Sequence, residues 1–183
     1  MDILYTIAST DSHLNQILDL QQQNLPKVLD ADEKQSQGFV TVEHTFDLLK
    51  QMNSPYPHAI ALSNNQVVGY ALAMLPELRD KIEILIPMFN QIDSAIHSQP
   101  TLKSYFVMGQ VCIAKAYRGQ GIFYGLYNQL RKTMSSDFDC CITEVDPINT
   151  RSIKAHQNQG FKLLERYSDV RGRSWDLIYW AWD

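Results

Sequence analysis

The residues with the clearest chemical potential in this sequence are the glycines of a short turn, residues 118–121 (RGQG). An apolar run, residues 111–113, precedes the turn, and the apolar residues that follow it recur at the spacing of an α-helix. The pattern predicts a strand, a glycine turn and a helix. The first turn of a helix presents backbone N–H groups and the positive end of the helix dipole, and glycine lets a bulky anion approach the backbone closely. We therefore predict a phosphate or pyrophosphate site at this turn.

A second group of polar side chains lies in a predicted helix over residues 149–159. Asn149, Ser152 and His156 stand at positions i, i+3 and i+7, a spacing that places them on one face of a helix. A purely structural interpretation is equally open, with Asn149 as the N-cap, Ser152 as a first-turn residue and His156 on the surface. Gly160 is predicted to end this helix in the left-handed conformation.

The elements that must position these groups follow from the hydrophobic pattern. The predicted strands are residues 3–8, 58–63, 66–75, 104–113, 140–145, 161–167 and 174–182, with Asn64 and Asn65 as a tight hairpin turn. The other predicted helices are one capped by Asp11 or Ser12 and broken by Pro26, one over residues 42–52, and the one that follows the glycine turn. Residues 30–38 are predicted to form a loop.

A helical stripe fills residues 77–96, between the third and fourth predicted strands, and Pro87 lies inside it. Proline breaks a helix interior but fits a first turn. The segment is thus predicted to be a kinked helix, or two short helices with Pro87 in the first turn of the second. Its length makes it a candidate substrate-side lid.

The length, charge and cysteine content of the chain exclude several classes of protein. With 183 residues and 45% apolar content, the chain is predicted to be one domain, residues 1–183. A formal charge of −4 and a pI near 5.7 argue against binding nucleic acid or an anionic membrane. The three cysteines have neither zinc-site nor disulfide-frame spacing, so we expect reduced thiols and no metal. No signal-peptide pattern and no long apolar run is present, which indicates a cytoplasmic protein.

Two motifs resemble those of the GNAT superfamily (Gcn5-related N-acetyltransferases). The turn RGQGI at residues 118–122 is similar to that family's pyrophosphate loop, Arg/Gln-x-x-Gly-x-Gly/Ala. The run NTRSIKAHQNQGF at residues 149–161 resembles its second motif, Asn-x-x-Ser/Ala-x-x-x-Tyr-x-x-x-Gly-Phe. The order of elements is also similar along essentially the whole chain. The resemblance implies a GNAT-like α/β (α+β) fold: a mixed central sheet of about six or seven strands flanked by helices, with a helical insertion between the third and fourth strands.

The resemblance also implies acetyl-CoA as acyl donor and an amine as acceptor, either a small molecule or a peptide N-terminus. The residues that would bind the cofactor come from the strand before the turn, from the turn itself and from the second motif: Cys112, Ile113, Arg118, Gly119, Gln120, Gly121, Ile122, Phe123, Asn149 and Ser152. His156 stands where the family usually has a tyrosine that protonates the departing thiolate.

The sequence departs from the family pattern in three places. Phe123 takes the position of a small residue, which bears on how closely the helix packs there. His156 replaces the tyrosine, and the insertion over residues 77–96 is long.

Two residues are candidate catalysts. His156 is a competent proton donor when protonated, or a hydrogen-bond donor when neutral, for a thiolate whose ordinary pKa is about 8.5. Glu144 ends an apolar strand, so burial would raise its pKa and suit it to act as a general base. The alternative is a strand-end carboxylate facing solvent. Gln110 and Tyr105 could instead orient the substrate, and Lys115, Arg151 and Lys154 could meet cofactor phosphates.

The competing functions are an acetyltransferase, in which the amine attacks acetyl-CoA directly, and a non-catalytic acyl-CoA-binding or regulatory module. A nucleotide-hydrolysing P-loop is disfavoured because no Lys-Ser/Thr follows the glycines, and the G-x-S-x-G pattern of serine hydrolases is absent. The apolar C-terminal strand also permits a homodimer.

Overall fold

The fold comes from a computed structural model that describes residues 2–25, 42–99 and 101–182. The strands are β1 (Leu4–Ile7), β2 (Ala59–Ser63), β3 (Gln66–Met74), β4 (Tyr105–Ile113), β5 (Cys140–Val145), β6 (Lys162–Ser168) and β7 (Ser174–Ala181). The α-helices are α1 (Asp11–Gln22), α2 (Phe46–Met52), α3 (Ile86–Ile96), α4 (Ile122–Met134) and α5 (Thr150–Gln159). Short 3₁₀ helices span Pro76–Lys81, Glu83–Leu85 and Lys115–Tyr117.

The seven strands form one mixed sheet in the order β1-β2-β3-β4-β5-β7-β6. Strands β4 and β5 run parallel, whereas β1–β2, β2–β3, β5–β7 and β6–β7 are antiparallel. The predicted mixed sheet and the insertion between the third and fourth strands are confirmed. The last two strands, β6 and β7, form an antiparallel hairpin. The second of them, β7, also pairs with β5 and so lies between β5 and β6.

Contacts divide the chain into two compact units, Met1–Ala73 with Gly109–Met134, and Met74–Met108 with Ser135–Asp183. In the first unit, α4 packs on β1 and β2. Two glycines permit this packing. A Cβ on Gly69 would lie 3.2 Å from Ile122, and a Cβ on Gly125 would lie 2.1 Å from the ring of Tyr5. The missing side chains therefore let α4 sit close to the strands.

In the second unit, the strand register divides the side chains of β5, β7 and β6 between two faces. Glu144 on β5 stands opposite Leu177 on β7, and Tyr167 on β6 stands opposite Trp175. Side chains alternate along a strand, so all four lie on one face, while Ile178 lies on the other. This register decides which candidate residues can meet.

The insertion is held in the second unit by Asp93 of α3. Its carboxylate accepts hydrogen bonds from the guanidinium of Arg79 (Nη1–Oδ2 2.5 Å) and from the hydroxyl of Tyr105 (2.9 Å). The Arg79 guanidinium lowers the pKa of Asp93, which keeps the carboxylate ionised. Residues 76–85 form 3₁₀ turns and α3 begins at Ile86, so Pro87 occupies a first turn. The second of the two predicted arrangements is confirmed, although its first half is not α-helical.

Other boundaries differ from the predictions for local reasons. Thr10 caps α1, not Asp11 or Ser12, since the Thr10 hydroxyl accepts from the amide of His13. The predicted helix over residues 42–52 begins only at Phe46, because Thr45 is the cap. The predicted hairpin turn is confirmed, with φ of 49° at Asn64 and 62° at Asn65. Pro26 and the predicted loop over residues 30–38 lie outside the described residues.

Candidate active site

The glycine loop, residues 118–123, lies between the end of β4 and the first turn of α4 in the first unit. Gly119 and Gly121 have φ of 75° and 80°, a conformation that side chains disfavour. Among the described residues, and apart from its neighbours in the chain, a Cβ added to either glycine would meet no atom within 4 Å. The two glycines are therefore required by backbone conformation.

Arg118 braces the loop. Its Nε donates to the carbonyl of Ile113 at 3.0 Å, and its Nη2 donates to the side-chain oxygen of Asn24 at 2.6 Å. Gln120 adds a contact from its side-chain amide to the carbonyl of Ala116 at 3.0 Å. These bonds tie the loop to β4 and to the chain after α1, so its shape is set by the surrounding protein.

The strand before the loop carries Cys112 and Ile113, which are predicted to bind the cofactor. Cys112 is buried, and burial raises the pKa of its thiol to about 11. The raised pKa keeps this thiol neutral at pH 7. Ile113 is half-buried, and its carbonyl is engaged by Arg118.

Phe123 is not among the buried residues of α4. Ile122 and Leu126 are buried and lie close to Gly69 on β3, where an added Cβ would come within 3.4 Å of both side chains. The Phe123 ring is half-buried and packs on Tyr127, one turn along the helix, with ring centroids 4.8 Å apart.

Sequence reasoning missed a buried polar cluster around Gln110. The Gln110 side-chain oxygen accepts from Gln21 and from the hydroxyl of Tyr70, both at 2.7 Å, and its amide donates to the carbonyl of Val42 at 2.9 Å. Gln21 also binds His44 through the His44 backbone amide and Nδ1. Gln110 is therefore a structural residue that fastens residues 42–44 to β4, and it is not available to orient a substrate as proposed above. No local pattern signals such a cluster, because its members are far apart in sequence.

In the second unit, α5 begins at the second motif. Asn149 is its N-cap, accepting from the amide of Ser152 at 3.0 Å. Nδ1 of His156 donates to the carbonyl of Ser152 at 2.8 Å and lies 3.3 Å from its hydroxyl. The helix ends at Gly160, with φ of 107°, as predicted.

His156 is buried, with 2% of its surface exposed, and its ring stands edge-on to Phe161 at a centroid distance of 5.0 Å. Burial lowers the pKa of His156 to about 4, partly offset by the bond to the Ser152 carbonyl. The ring is therefore neutral at pH 7, and with Nδ1 as the donor its Nε2 carries a lone pair. The surface position considered for His156 is wrong.

Glu144 is half-buried near the end of β5. Burial raises the pKa of Glu144, and a hydrogen bond from the hydroxyl of Tyr167 opposes that shift. Asp169 adds a smaller raising effect and Arg173 a smaller lowering one. Sequence reasoning did not include Tyr167, because only the strand order brings β6 toward β5.

The structure does not bring Glu144 and His156 together. Glu144 shares a face of the sheet with Leu177, whereas Phe161, against which His156 packs, contacts Trp180 at a centroid distance of 5.9 Å. Trp180 lies on the face opposite to Leu177 because three residues separate them along β7. The two candidate catalysts therefore belong to different faces of β5, β7 and β6. The hydroxyl of Tyr105, which was considered as a group that orients the substrate, donates a hydrogen bond to Asp93.

The fold and the glycine loop define an acetyltransferase of the GNAT type. The chain belongs to the acetyltransferase (GNAT) family, whose sequence profile matches residues 15–161. No curated protein sequence matches the chain significantly.

Several solved structures share the fold at low sequence identity. The ribosomal-protein-S18-alanine N-acetyltransferase from Escherichia coli is 11% identical, with a TM-score of 0.64 over 98% of this chain and 94% of that one. A phosphinothricin acetyltransferase from Sinorhizobium meliloti in complex with acetyl-CoA is 16% identical, with a TM-score of 0.64 over 99% and 89%. Naa50 from Arabidopsis thaliana, in complex with the bisubstrate analogue CoA-Ac-MVNAL, is 15% identical, with a TM-score of 0.64 over both whole chains.

Within residues 2–25, 42–99 and 101–182, no helix is both long and apolar enough to cross a membrane. Nor does this described part of the chain contain three or more His, Cys, Asp or Glu side chains grouped to hold a metal ion.

Proposed function

We propose that the protein transfers the acetyl group of acetyl-CoA to a primary amine by direct attack of the amine on the thioester. The observation that carries the proposal is the glycine loop in a chain of the GNAT family: two glycines of positive φ, with no described residue beyond their chain neighbours within 4 Å of an added Cβ, and a 13-residue helix behind. Such a loop offers backbone N–H groups and a favourable dipole to a pyrophosphate. The residues present fit coenzyme A.

In this proposal the backbone of Gly119, Gln120, Gly121, Ile122 and Phe123 binds the pyrophosphate. Arg118 acts on the loop's shape, since its guanidinium is engaged with Ile113 and Asn24. Backbone groups of Cys112 and Ile113 bind the pantetheine arm, and Asn149 and Ser152 line the cofactor's path at the start of α5.

Glu144 is the general base of the proposal. As the amine nitrogen forms the C–N bond and the C–S bond breaks, the carboxylate accepts the amine's proton. The raised pKa of Glu144 strengthens it as a base. A lysine-like amine of pKa about 10.4 costs roughly 4.6 kcal/mol to deprotonate at pH 7, whereas an α-amine of pKa about 7.8 costs roughly 1 kcal/mol. A half-buried carboxylate therefore suits an α-amine or another weakly basic amine.

His156 is the proposed proton donor for the departing thiolate, but two observations oppose this role. The ring belongs to the face of the sheet opposite to Glu144, and its N–H is bound to the Ser152 carbonyl. With a pKa of about 4, only on the order of one ring in a thousand is protonated at pH 7. A thiolate of ordinary pKa about 8.5 can also leave unprotonated and take its proton from water. Turnover by His156→Gln equal to that of the wild type would remove His156 from the mechanism.

The neutral state of His156 is also what favours the second candidate, a non-catalytic acyl-CoA-binding module. Such a protein would keep the glycine loop and lack an effective proton donor. The two candidates predict the same cofactor affinity and differ only in turnover.

The test has two stages. Coenzyme A and acetyl-CoA are added at concentrations from micromolar to millimolar, and the melting temperature is measured. Binding to the folded state raises it in proportion to the logarithm of ligand concentration. Absence of any shift would remove both candidates.

A panel of amines is then offered with acetyl-CoA, and free thiol is followed. The panel includes small amines, amino acids and short peptides with free N-termini. Thiol release that depends on the amine supports the enzyme, and release equal to the amine-free rate with every member supports the binding module.

A further inference from the structure

Tyr167 and Glu144 form a polar pair that bridges β6 and β5 across the intervening strand β7. The hydroxyl of Tyr167 donates to Oε2 of Glu144. Strands in a sheet are about 4.8 Å apart, so the two residues are separated by roughly twice that distance, and the long tyrosine side chain spans the gap. Their shared face follows from the register, in which Glu144 opposes Leu177 and Tyr167 opposes Trp175.

We propose that Tyr167 is a positioning residue for the catalytic base: it holds Glu144 by Oε2 and turns Oε1 toward the acceptor amine. This inference rests on the proposed acetyl transfer. In the described part of the chain, Oε2 is the only oxygen of Glu144 that accepts a hydrogen bond. The other oxygen is the one that takes the amine's proton.

The hairpin between β6 and β7 holds Tyr167 in place. Asp169, two residues beyond Tyr167, accepts from the backbone amides of Arg171 and Arg173 and from the side chains of Arg173 and Trp175. These bonds lower the pKa of Asp169 to about 2, so the turn stays organised over the working pH range. Because the hairpin fixes the position of Tyr167, its hydroxyl holds the Glu144 carboxylate in one orientation.

The chemistry of the pair favours a tyrosine that donates and a glutamate that accepts. Burial, followed by the bond to Glu144, raises the pKa of Tyr167, so its hydroxyl keeps its proton throughout the working pH range. The hydrogen bond from Tyr167 stabilises the ionised carboxylate and limits the rise in the Glu144 pKa that burial causes. Tyr167 therefore favours the ionised form of Glu144, which is the form that acts as a base.

Other charged groups near the pair have partners of their own or opposing effects. Asp169 and Arg173 act on Glu144 in opposite senses. Glu165 on the same strand as Tyr167 accepts from Gln91 of α3 at 2.9 Å. Asp176 on β7 is paired with Arg166 at 2.5 Å. The hydroxyl of Tyr167 is thus the group whose removal changes Glu144 most directly.

The test compares Tyr167→Phe with Tyr179→Phe, which removes a half-buried hydroxyl from the neighbouring strand β7. The pKa of Glu144 is measured by NMR of ¹³C-labelled glutamate carboxyl groups, with Glu144→Gln identifying the signal. This measurement needs no acceptor. We expect the Glu144 titration to move to higher pH in Tyr167→Phe and to stay in place in Tyr179→Phe.

The kinetic arm uses an amine that the panel identifies as an acceptor. In Tyr167→Phe, the acidic limb of the kcat/KM profile should move to higher pH with the Glu144 titration, and kcat/KM at a pH on that limb should fall about tenfold. If the Glu144 titration moves to higher pH while the acidic limb of the kcat/KM profile stays in place, the positioning role is overturned. Unchanged Glu144 titration would show that the pair does not form in solution. Failure of every amine would reject the acetyl transfer itself, and the titration would still report on the pair.

Discussion

Tyr167 reaches across a whole strand to hydrogen-bond Glu144, which joins the hairpin β6–β7 to the end of β5. The bond gives a half-buried carboxylate a single donor and leaves its second oxygen for chemistry. It also makes the C-terminal hairpin, which bears no motif residue, part of the proposed catalytic apparatus.

Glu144→Gln should lower kcat/KM by about 10²- to 10⁴-fold, the usual contribution of a general base. Glutamine is close in shape and still offers an oxygen to Tyr167, so the melting temperature should change little. The measurement is amine-dependent thiol release across pH 5.5–9, together with a thermal melt. The loss should shrink toward high pH, where more of the amine is already neutral.

The matched control for this change is Glu165→Gln. Glu165 is a second glutamate on the same face of the sheet, bound to Gln91 of α3. Its substitution should leave kcat/KM within a factor of about two of the wild type. Equal losses in the two variants would mean that Glu144 contributes charge to the surface and not a base to the reaction.

Gly121→Ala should weaken binding of coenzyme A more than it affects folding. At φ of 80° an alanine costs about 1–2 kcal/mol, which the loop can relieve by abandoning the conformation that presents its amides. We expect the Kd for coenzyme A, measured by calorimetry, to rise about tenfold or more. Beyond its chain neighbours, no atom of the described residues lies within 4 Å of the added methyl group, so the loss of affinity is expected from conformation and from the space the methyl takes from the ligand.

Gly172→Ala controls for the strain alone. Gly172 has a φ of 76°, and in the part of the chain that the structure describes a Cβ added there would also meet nothing within 4 Å, but it lies in the turn between β6 and β7. Its substitution should lower the melting temperature by a similar amount and leave the Kd for coenzyme A unchanged. A comparable rise in Kd in both variants would point to general destabilisation and would contradict a pyrophosphate site at the glycine loop.

The features that could be predicted from sequence are those with local causes. Gly160 predicts a left-handed helix end and has a φ of 107°. The predicted glycine turn before α4 is also present, with Gly119 and Gly121 at positive φ. Asn64 and Asn65 mark the hairpin for the same reason. Because each of these residues is selected by its own backbone conformation, its neighbours in the chain suffice to identify the structure.

The features that sequence reasoning missed have long-range causes. His156 is the only buried residue of the polar helix α5, and it is covered by Phe161 from beyond the helix end. Tyr167 meets Glu144 only because β7 inserts between β5 and β6. Gln110 gains its partners from α1, β3 and the segment before α2. Even the cap of α1 was ambiguous, since Thr10, Asp11 and Ser12 are all suitable and the path of the chain from β1 decides among them.

Gly125→Ala should destabilise the first unit by about 1–3 kcal/mol, although alanine favours helix. Its Cβ would lie 2.1 Å from the ring of Tyr5, which must leave its place against α4. Urea denaturation gives the free energy of unfolding. In a Tyr5→Ala background the same change should be neutral or stabilising, because the clash is gone and only the helix propensity remains. If Gly125→Ala lowers the free energy of unfolding equally in the two backgrounds, the Tyr5 ring does not pack against Gly125.

The free energy of unfolding should fall as the pH is lowered from about 6.5 to 4, because three histidines are buried in the neutral form. Burial lowers the pKa of His44 and of His156 to about 4 and that of His58 to about 3, whereas unfolded histidine titrates near 6.5. Between these values the unfolded state binds more protons than the folded state, so stability is full above pH 6.5 and is lost as the pH falls. Each histidine whose pKa falls from about 6.5 to about 4 on folding accounts for a loss of on the order of 3 kcal/mol in the free energy of unfolding over this pH range.

His58 offers the sharpest test of this loss. Its Nε2 donates to the carbonyl of Leu49 at 3.2 Å, and its Nδ1 accepts from the amide of Ala73 at 3.1 Å, so protonation would set one N–H against another. His58→Gln lacks the titrating ring, and urea denaturation between pH 4 and 7 should show a shallower dependence, reduced by about one proton. Ile92→Val, which removes a buried methyl group, should lower stability by about 1 kcal/mol equally at every pH. A His58→Gln curve parallel to the wild type would mean that His58 does not drive the acid sensitivity.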